Sequence, residues 1–208
     1  MPPPAINLHG PVRSRGFPNL SRRQFILAAT VLILPLVTTR AEVLPTEYQV
    51  KALFLLNFMR FIDWPERAFP DDPAPIVVGL LGENPFGPFL GDAFKDQRVR
   101  GRSIVLRQLG PADAPAECHV LFISCSERER VRAVLLGLGH APTLTVSELD
   151  SFCLQGGMIK LVTLDGTVHF EINPAAADAA GLHLSAKLLS LATAIVDSPP
   201  PATAPPSS

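Results

Sequence analysis

His119-Val-Leu-Phe-Ile-Ser124, written HVLFIS, is the stretch whose reading decides the fold. Val120, Leu121, Phe122 and Ile123 are apolar at every position, with two β-branched residues among them. A half-solvated strand alternates apolar and polar residues, and a helix needs a longer run, so this pattern predicts a strand covered on both faces. Such strands occupy the middle of parallel sheets.

Working outward, the neighbours supply the rest of a layered α/β domain. On the N-terminal side, "PIVVGLLG" (75–82) is a β-branched run and "RSIVLRQL" (102–109) alternates, so both read as strands. Between them "ENPFGPFLGDAFKD" (83–96) reads as a turn leading into a short helix. On the C-terminal side, "ERERVRAVLLGLG" (127–139) reads as a helix closed by glycine, "PTLTVSE" (142–148) as a further strand, and "LDSFCLQGG" (149–157) as a short helix. "MIKLVTLDGTVHFEIN" (158–173) is a hairpin, because Asp165-Gly166 is a pair favoured in two-residue turns. "PAAADAAGLHLSAKLLSLATAIV" (174–196) is expected to be helical in its second part, with Leu184, Leu188 and Leu191 on one side. Strands alternating with helices imply parallel pairing, and the hairpin must be antiparallel. The expected fold class is therefore α/β: a single-domain, three-layer α/β/α sandwich with a mixed, mostly parallel sheet and a C-terminal antiparallel hairpin.

Ahead of the first strand, "TEYQVKALFLLNFMRFIDWP" (46–65) predicts a strong helix. Thr46 is its expected N-cap, and Val50, Phe54, Phe58 and Phe61/Ile62 recur at helical spacing. Trp64-Pro65 is expected to end it, since the residue before proline is pushed out of helical geometry. Leu53, Leu55, Leu56 and Met59 widen the apolar surface beyond one stripe, so the helix is either covered on two sides or lends a flank to an interface. Phe54, Phe58 and Phe61 are the candidates for self-association.

The first 41 residues carry a different signal. The run from Phe25 to Val37 is 13 residues long and interrupted by Pro35, against about 20 for a membrane-spanning helix. Basic residues precede it and Thr38-Thr39-Arg40-Ala41 follow, the order of a cleaved secretory signal. Ser21-Arg22-Arg23-Gln24-Phe25-Ile26 resembles the twin-arginine export motif; ordinary secretion and a retained anchor are the alternatives. The expected organisation is an export signal at 1–41, a folded domain at 42–197 and a Pro-rich, disordered tail at 198–208. Without its signal, which holds five arginines and no acid, the chain has 13 basic and 19 acidic residues, a net charge of −6. Nucleic-acid binding has no basic surface to rest on.

Cys118, Cys125 and Cys153 are an odd number of thiols for an exported chain. Cys118 and Cys125 flank the HVLFIS strand, where about 3.3 Å per residue sets their Cα atoms roughly 20 Å apart. A disulfide reaches about 7 Å, so those two cannot pair. Cys153 is left as the partner for either, and at least one thiol stays free or joins another chain.

Candidate chemistry is sparse. "GLLGENPFG" lacks both the G-x-G-x-x-G spacing and the Walker lysine, so Gly82 and Gly87 read as turn residues. Ser124, Cys125 and Ser126 sit where α/β folds hold ligands, but no G-x-S-x-G elbow accompanies them. His119, His140, His169 and His183 show no zinc spacing. Asp63, Asp71 and Asp72 read as solvated loop acids. No cofactor and no metal is expected. On the hairpin, His169 and Glu171 share one face, and Lys160 and His169 are positioned to neutralise Glu171; the alternative is an acid that a partner reads.

"YQVKALFLLNFMRFIDWPERAF", "VVGLLGENPFG", "CHVLFIS", "LTVSE", "GGMIKLV", "HFEIN" and "LSAKLLSLA" follow one another as in YfiR-family (YfiR/HmsC-like) proteins. The resemblance spans about Glu47 to Ala192. It implies a periplasmic α/β/α sandwich without a catalytic site that forms homodimers. It implies binding to the periplasmic domain of an inner-membrane diguanylate cyclase, which keeps cyclic di-GMP and biofilm formation low, and sequestration by an outer-membrane lipoprotein. By the same resemblance the partner contacts fall at Ile159, Glu171 and Asn173. Two disulfides of the family lack partners here: Gly79 or its neighbours stand opposite Cys118, and only Cys153 represents the second pair. A sensor kinase is the alternative membrane partner. A small-ligand module using the glycine corners at Gly82 and Gly156-Gly157 is the alternative function.

Overall fold

The structure, a computed structural model, describes residues 46–70, 73–110 and 113–198. All fall within one compact unit. The twin-arginine segment, Asp71, Asp72 and the proline-rich tail after Ser198 lie outside the described residues.

The elements in order are α1 (Glu47–Phe61), β1 (Ile62–Asp63), β2 (Ile76–Leu81), α2 (Phe89–Phe94), β3 (Arg98–Val99), β4 (Arg102–Leu109) and β5 (Val120–Ile123). Then come α3 (Val131–Leu138), β6 (Leu144–Ser147), β7 (Ile159–Leu164), β8 (Thr167–Ile172), α4 (Pro174–Ala179), β9 (His183–Leu184), α5 (Ala186–Leu191) and β10 (Ala194–Ile195). The main sheet has eight strands in the order β10-β8-β7-β6-β5-β2-β4-β3. HVLFIS supplies β5, an interior strand parallel to β2 on one side and β6 on the other. All four of its residues are buried. Side chains of this size contribute about 1.5–3 kcal/mol each on full burial. The hairpin β7–β8 is antiparallel, and its turn residues Asp165 and Gly166 both have positive φ (49° and 74°). That is the geometry a two-residue type I′ turn needs. The sheet is mixed and mostly parallel, as expected.

Two cores lie on opposite faces. Val78, Leu80, Val120, Phe122, Leu144 and Val146 face the larger one, with α1, α2, α4 and α5. Leu109, Leu121 and Ile123 face the smaller one, with Val131, Leu135 and Leu138 of α3.

Four expectations change in detail. Thr46 caps α1 through a capping box with Gln49, but the deepest line of the helix is Lys51, Ala52, Leu55, Leu56, Phe58 and Met59. Val50, Phe54 and Phe61 are half-buried, because α1 lies on β8 and is flanked by α2 and α5, which turns a different stripe inward. The helix ends at Phe61, before Trp64-Pro65, because Ile62 is extended and pairs with Leu184 in a small separate sheet, β1–β9. "LDSFCLQGG" holds only a 3-10 turn at Cys153–Gln155. The 174–196 segment is helical in its first part as well: Asn173 caps α4 and Pro174 takes its first turn. Leu184 therefore lies in a strand, Leu188 is buried and Leu191 is exposed, so the three do not form one helical side.

Candidate functional site

The hairpin sets the geometry of the expected partner site. With a two-residue turn at 165–166, residues equidistant from it face each other, and Lys160 falls opposite Glu171 and Ile159 opposite Ile172. Ile159, Leu161, Val168, Phe170 and Ile172 point into the large core, where Phe54 and Phe58 pack edge-on against Phe170. Lys160, Val162, His169 and Glu171 form the other, half-exposed face.

Glu171 accepts a hydrogen bond from Lys160 Nζ at 3.4 Å, with 28% of its side chain exposed. Lys160, of the two expected residues, is the one that pairs with the acid. Ile159 and Asn173 have no exposed surface. Asn173 is fully occupied within the fold: its Nδ2 donates to Cys153 O (3.0 Å) and Ser198 O (2.8 Å), and its Oδ1 accepts from Ala176 N. Of the three expected contact residues, Glu171 alone offers side-chain surface. The fold adds two residues that pattern reading did not single out. Ile195 lies on β10 beside Ile172 and is 60% exposed; Leu154, whose carbonyl accepts from Ser198 Oγ, is 65% exposed. Both belong to the segments that Asn173 ties together. Sequence offered no signal for them, since their exposure depends on the sheet ending at β10.

The flank of α1 divides likewise. Phe58 is buried and unavailable for self-association, and Phe61 is half-covered beneath Lys187 Nζ, 5.2 Å from the ring centre. Phe54 is half-buried, and Leu53 is the most exposed apolar residue of the helix.

Neither glycine corner is open. A Cβ at Gly82 (φ +87°) would meet Ser126 Oγ and lie 2.8 Å from Glu127 Cγ. Ser126 Oγ accepts the Glu83 N–H at 2.9 Å, so β5's own exit loop plugs the end of β2. At Gly157 the ring of Phe152 fills the space a side chain would take, and Gly156 only provides the left-handed residue that ends the 3-10 turn.

At the carboxyl ends of the central strands stands an ionic cluster that sequence reasoning missed. Lys51 of α1, 4% exposed in its side chain, pairs with both Glu47 and Glu148. Tyr48 Oη donates to Glu148 Oε2 at 3.4 Å, and Thr163 Oγ1 donates to Glu47 Oε1 at 2.7 Å. Burial by itself pushes the Lys51 ammonium down, but the hydrogen bonds it donates to Glu148 and Glu47 outweigh this and hold its pKa above the ordinary lysine value. Glu47 is held below the usual carboxylate range, first by Lys51 and then by Thr163. Each charged group has a hydrogen-bonded partner, although the cluster is net −1, and it ties α1 to the end of β6 and to β7.

His119 is structural too. Its Nδ1 accepts from Val77 N (3.0 Å), which leaves Nε2 to donate to Ala68 O (2.9 Å) and fixes the neutral tautomer. The ring stacks on Phe69 at 4.4 Å, and burial lowers its pKa. All three cysteines are free. Cys118 and Cys153 are buried; burial, with the Glu171 charge second, pushes the Cys153 thiol up to about 12. Gly79 does face Cys118: a Cβ there would sit 2.6 Å from its Sγ. Cys125 is exposed. Among the described residues no helix is long and apolar enough to cross a membrane.

The sequence profile of the YfiR/HmsC-like family matches residues 48–193. No curated protein sequence matches the chain. Among solved structures, a conserved domain protein from Vibrio cholerae O1 biovar El Tor superposes with a TM-score of 0.51 and 12% identity. The match covers 73% of this chain and 60% of that one, and it speaks to the fold.

Proposed function

The chain belongs to the YfiR/HmsC-like family, and from that premise we propose that it is a periplasmic regulatory binding protein. It inhibits an inner-membrane diguanylate cyclase by binding the cyclase's periplasmic domain, which lowers cyclic di-GMP and restrains biofilm formation. Its first 41 residues export it, and the family likeness supports a homodimer and an outer-membrane lipoprotein that sequesters it. Binding rather than catalysis is its work.

The observation that carries this reading is the outer face of the hairpin. Glu171 is a half-exposed acid held by a single lysine. The exposed Leu154 follows Cys153, whose Sγ lies 3.8 Å from Glu171 O, whereas Ile195, paired with Ile172, falls on the opposite face. A charge next to an exposed apolar residue is the composition a protein partner reads. Partner contact centres on Glu171, with Ile159 and Asn173 shaping the surface from beneath. A sensor kinase in place of the cyclase would use the same surface.

The test is Glu171→Ala. The pair is only partly exposed and long at 3.4 Å, so its loss should cost about 1 kcal/mol and the fold should hold with little change in melting temperature. A desolvated charge at an interface costs about 2–5 kcal/mol when truncated. Binding to the periplasmic domain of the cyclase should fall, and cellular cyclic di-GMP should rise. Unchanged affinity together with lost stability would move the surface away from the hairpin.

A further inference from the structure

A cavity lies toward the opposite edge of the sheet from Glu171. It is an open cleft of about 500 Å³ between α2 and the β3–β4 edge. Clefts of about 300–1,000 Å³ are the size that takes small molecules. Its floor is apolar: Phe94 is buried, and Ile104 and Leu106 of β4 are half-buried. Its rim is rich in donors. Lys95 and Arg98 are exposed, and neither forms an ion pair among the described residues. Arg98 spends one N–H on Gly101 O at 3.0 Å, leaving the others of its fork. Gln97 has its Oε1 taken by Arg60 at 2.9 Å, which leaves its amide N–H groups to offer, and Ser103 adds a hydroxyl. Asp96 is the one carboxylate in the lining, so the cleft is formally +1 within a mature domain of −6. Gly91 of α2 leaves the mouth open, with nothing within 4 Å of where a Cβ would stand.

We propose that this cleft binds a small organic anion, with an apolar group of about one ring on Phe94, Ile104 and Leu106 and a carboxylate or phosphate held by Lys95 and Arg98. The two cations outnumber the one carboxylate of the lining, Asp96, and hydrogen bonds to ionised groups are the stronger kind. The site is independent of the Glu171 surface, since β2, β5, β6 and β7 lie between β4 and β8.

Isothermal titration calorimetry on the mature protein decides it, with benzyl phosphate as probe and benzyl alcohol as its neutral counterpart. Benzyl phosphate should bind one to one, and benzyl alcohol about tenfold or more weaker, the loss expected for one charge-assisted contact. Lys95→Met/Arg98→Met should weaken benzyl phosphate at least about tenfold, whereas Arg132→Met on α3 should leave it unchanged. Gly91→Trp, which fills the mouth and keeps both cations, should abolish binding while the protein still melts cooperatively. Glu171→Ala should not alter it, which separates this site from the partner surface. Equal affinity for the two probes, retained affinity in the double variant or in Gly91→Trp, or no binding below about 10 mM would overturn the proposal.

Discussion

Replacing Lys51 by methionine tests whether the ionic cluster holds α1 onto the sheet. Methionine keeps the apolar stem and its packing, so what is lost is the ammonium. Two carboxylates then remain: Glu148, 12% exposed, and Glu47, 45% exposed in its side chain. Removing one partner of a fully buried pair costs about 3–5 kcal/mol, because the remaining charge stays dehydrated. Glu47 rehydrates readily here, and Tyr48 still donates to Glu148, so the lower end applies, about 3 kcal/mol. For a domain of this size that lowers the melting temperature by roughly 6–12 °C. Urea unfolding of Lys51→Met, Glu148→Gln and the double variant measures it. The double variant should cost less than the two singles combined by more than about 1 kcal/mol, since each single strands the other's charge. The cluster also predicts an alkaline limb. The folded pKa of Lys51 lies above its ordinary 10.5, so the stabilisation is complete below 10.5 and is lost as pH rises through the folded value. Additive effects, with Lys51→Met within about 0.5 kcal/mol of the parent, would refute the reasoning.

Three further outcomes are expected. Gly79→Ala should destabilise by about 1–3 kcal/mol, because its Cβ would press on Cys118 Sγ at 2.6 Å and Leu109 Cδ1 at 2.9 Å; adding Cys118→Ala should restore part of the loss, and a neutral Gly79→Ala would count against this packing. His119 is kept neutral by burial, so between its lowered folded pKa and 6.5 the unfolded chain holds a proton the native chain excludes; stability should therefore fall as pH drops below about 6.5, and His119→Gln should flatten that limb. Arg22→Lys/Arg23→Lys should leave precursor in the cytoplasm when cells are fractionated; an unchanged periplasmic yield would leave ordinary secretion as the route.

What could be read in the sequence was whatever rests on local chemistry or on burial at a fixed period. The continuous apolar run of HVLFIS requires two covered faces, and it became an interior parallel strand. Thr46 and Gln49 form a cap within a single turn, and Asp165-Gly166 closes a turn whose two-residue length alone puts Lys160 opposite Glu171. Other features needed the folded chain. Lys51 is buried because Glu148, 97 positions away, reaches it, and no window of sequence contains both. Which stripe of α1 faces inward was decided by β8 and its neighbouring helices, since nearly every stripe of that helix is apolar enough to qualify. The Gly82 corner closed because the loop after β5 delivers Ser126 into it, and the Gly157 corner because the ring of Phe152, five residues earlier, folds back over it. Asn173 turned from a surface candidate into a buried junction because its amide meets carbonyls 20 and 25 residues away. Local propensity acts through neighbours along the chain, whereas burial of a polar group depends on a partner that only the closed sheet brings within reach.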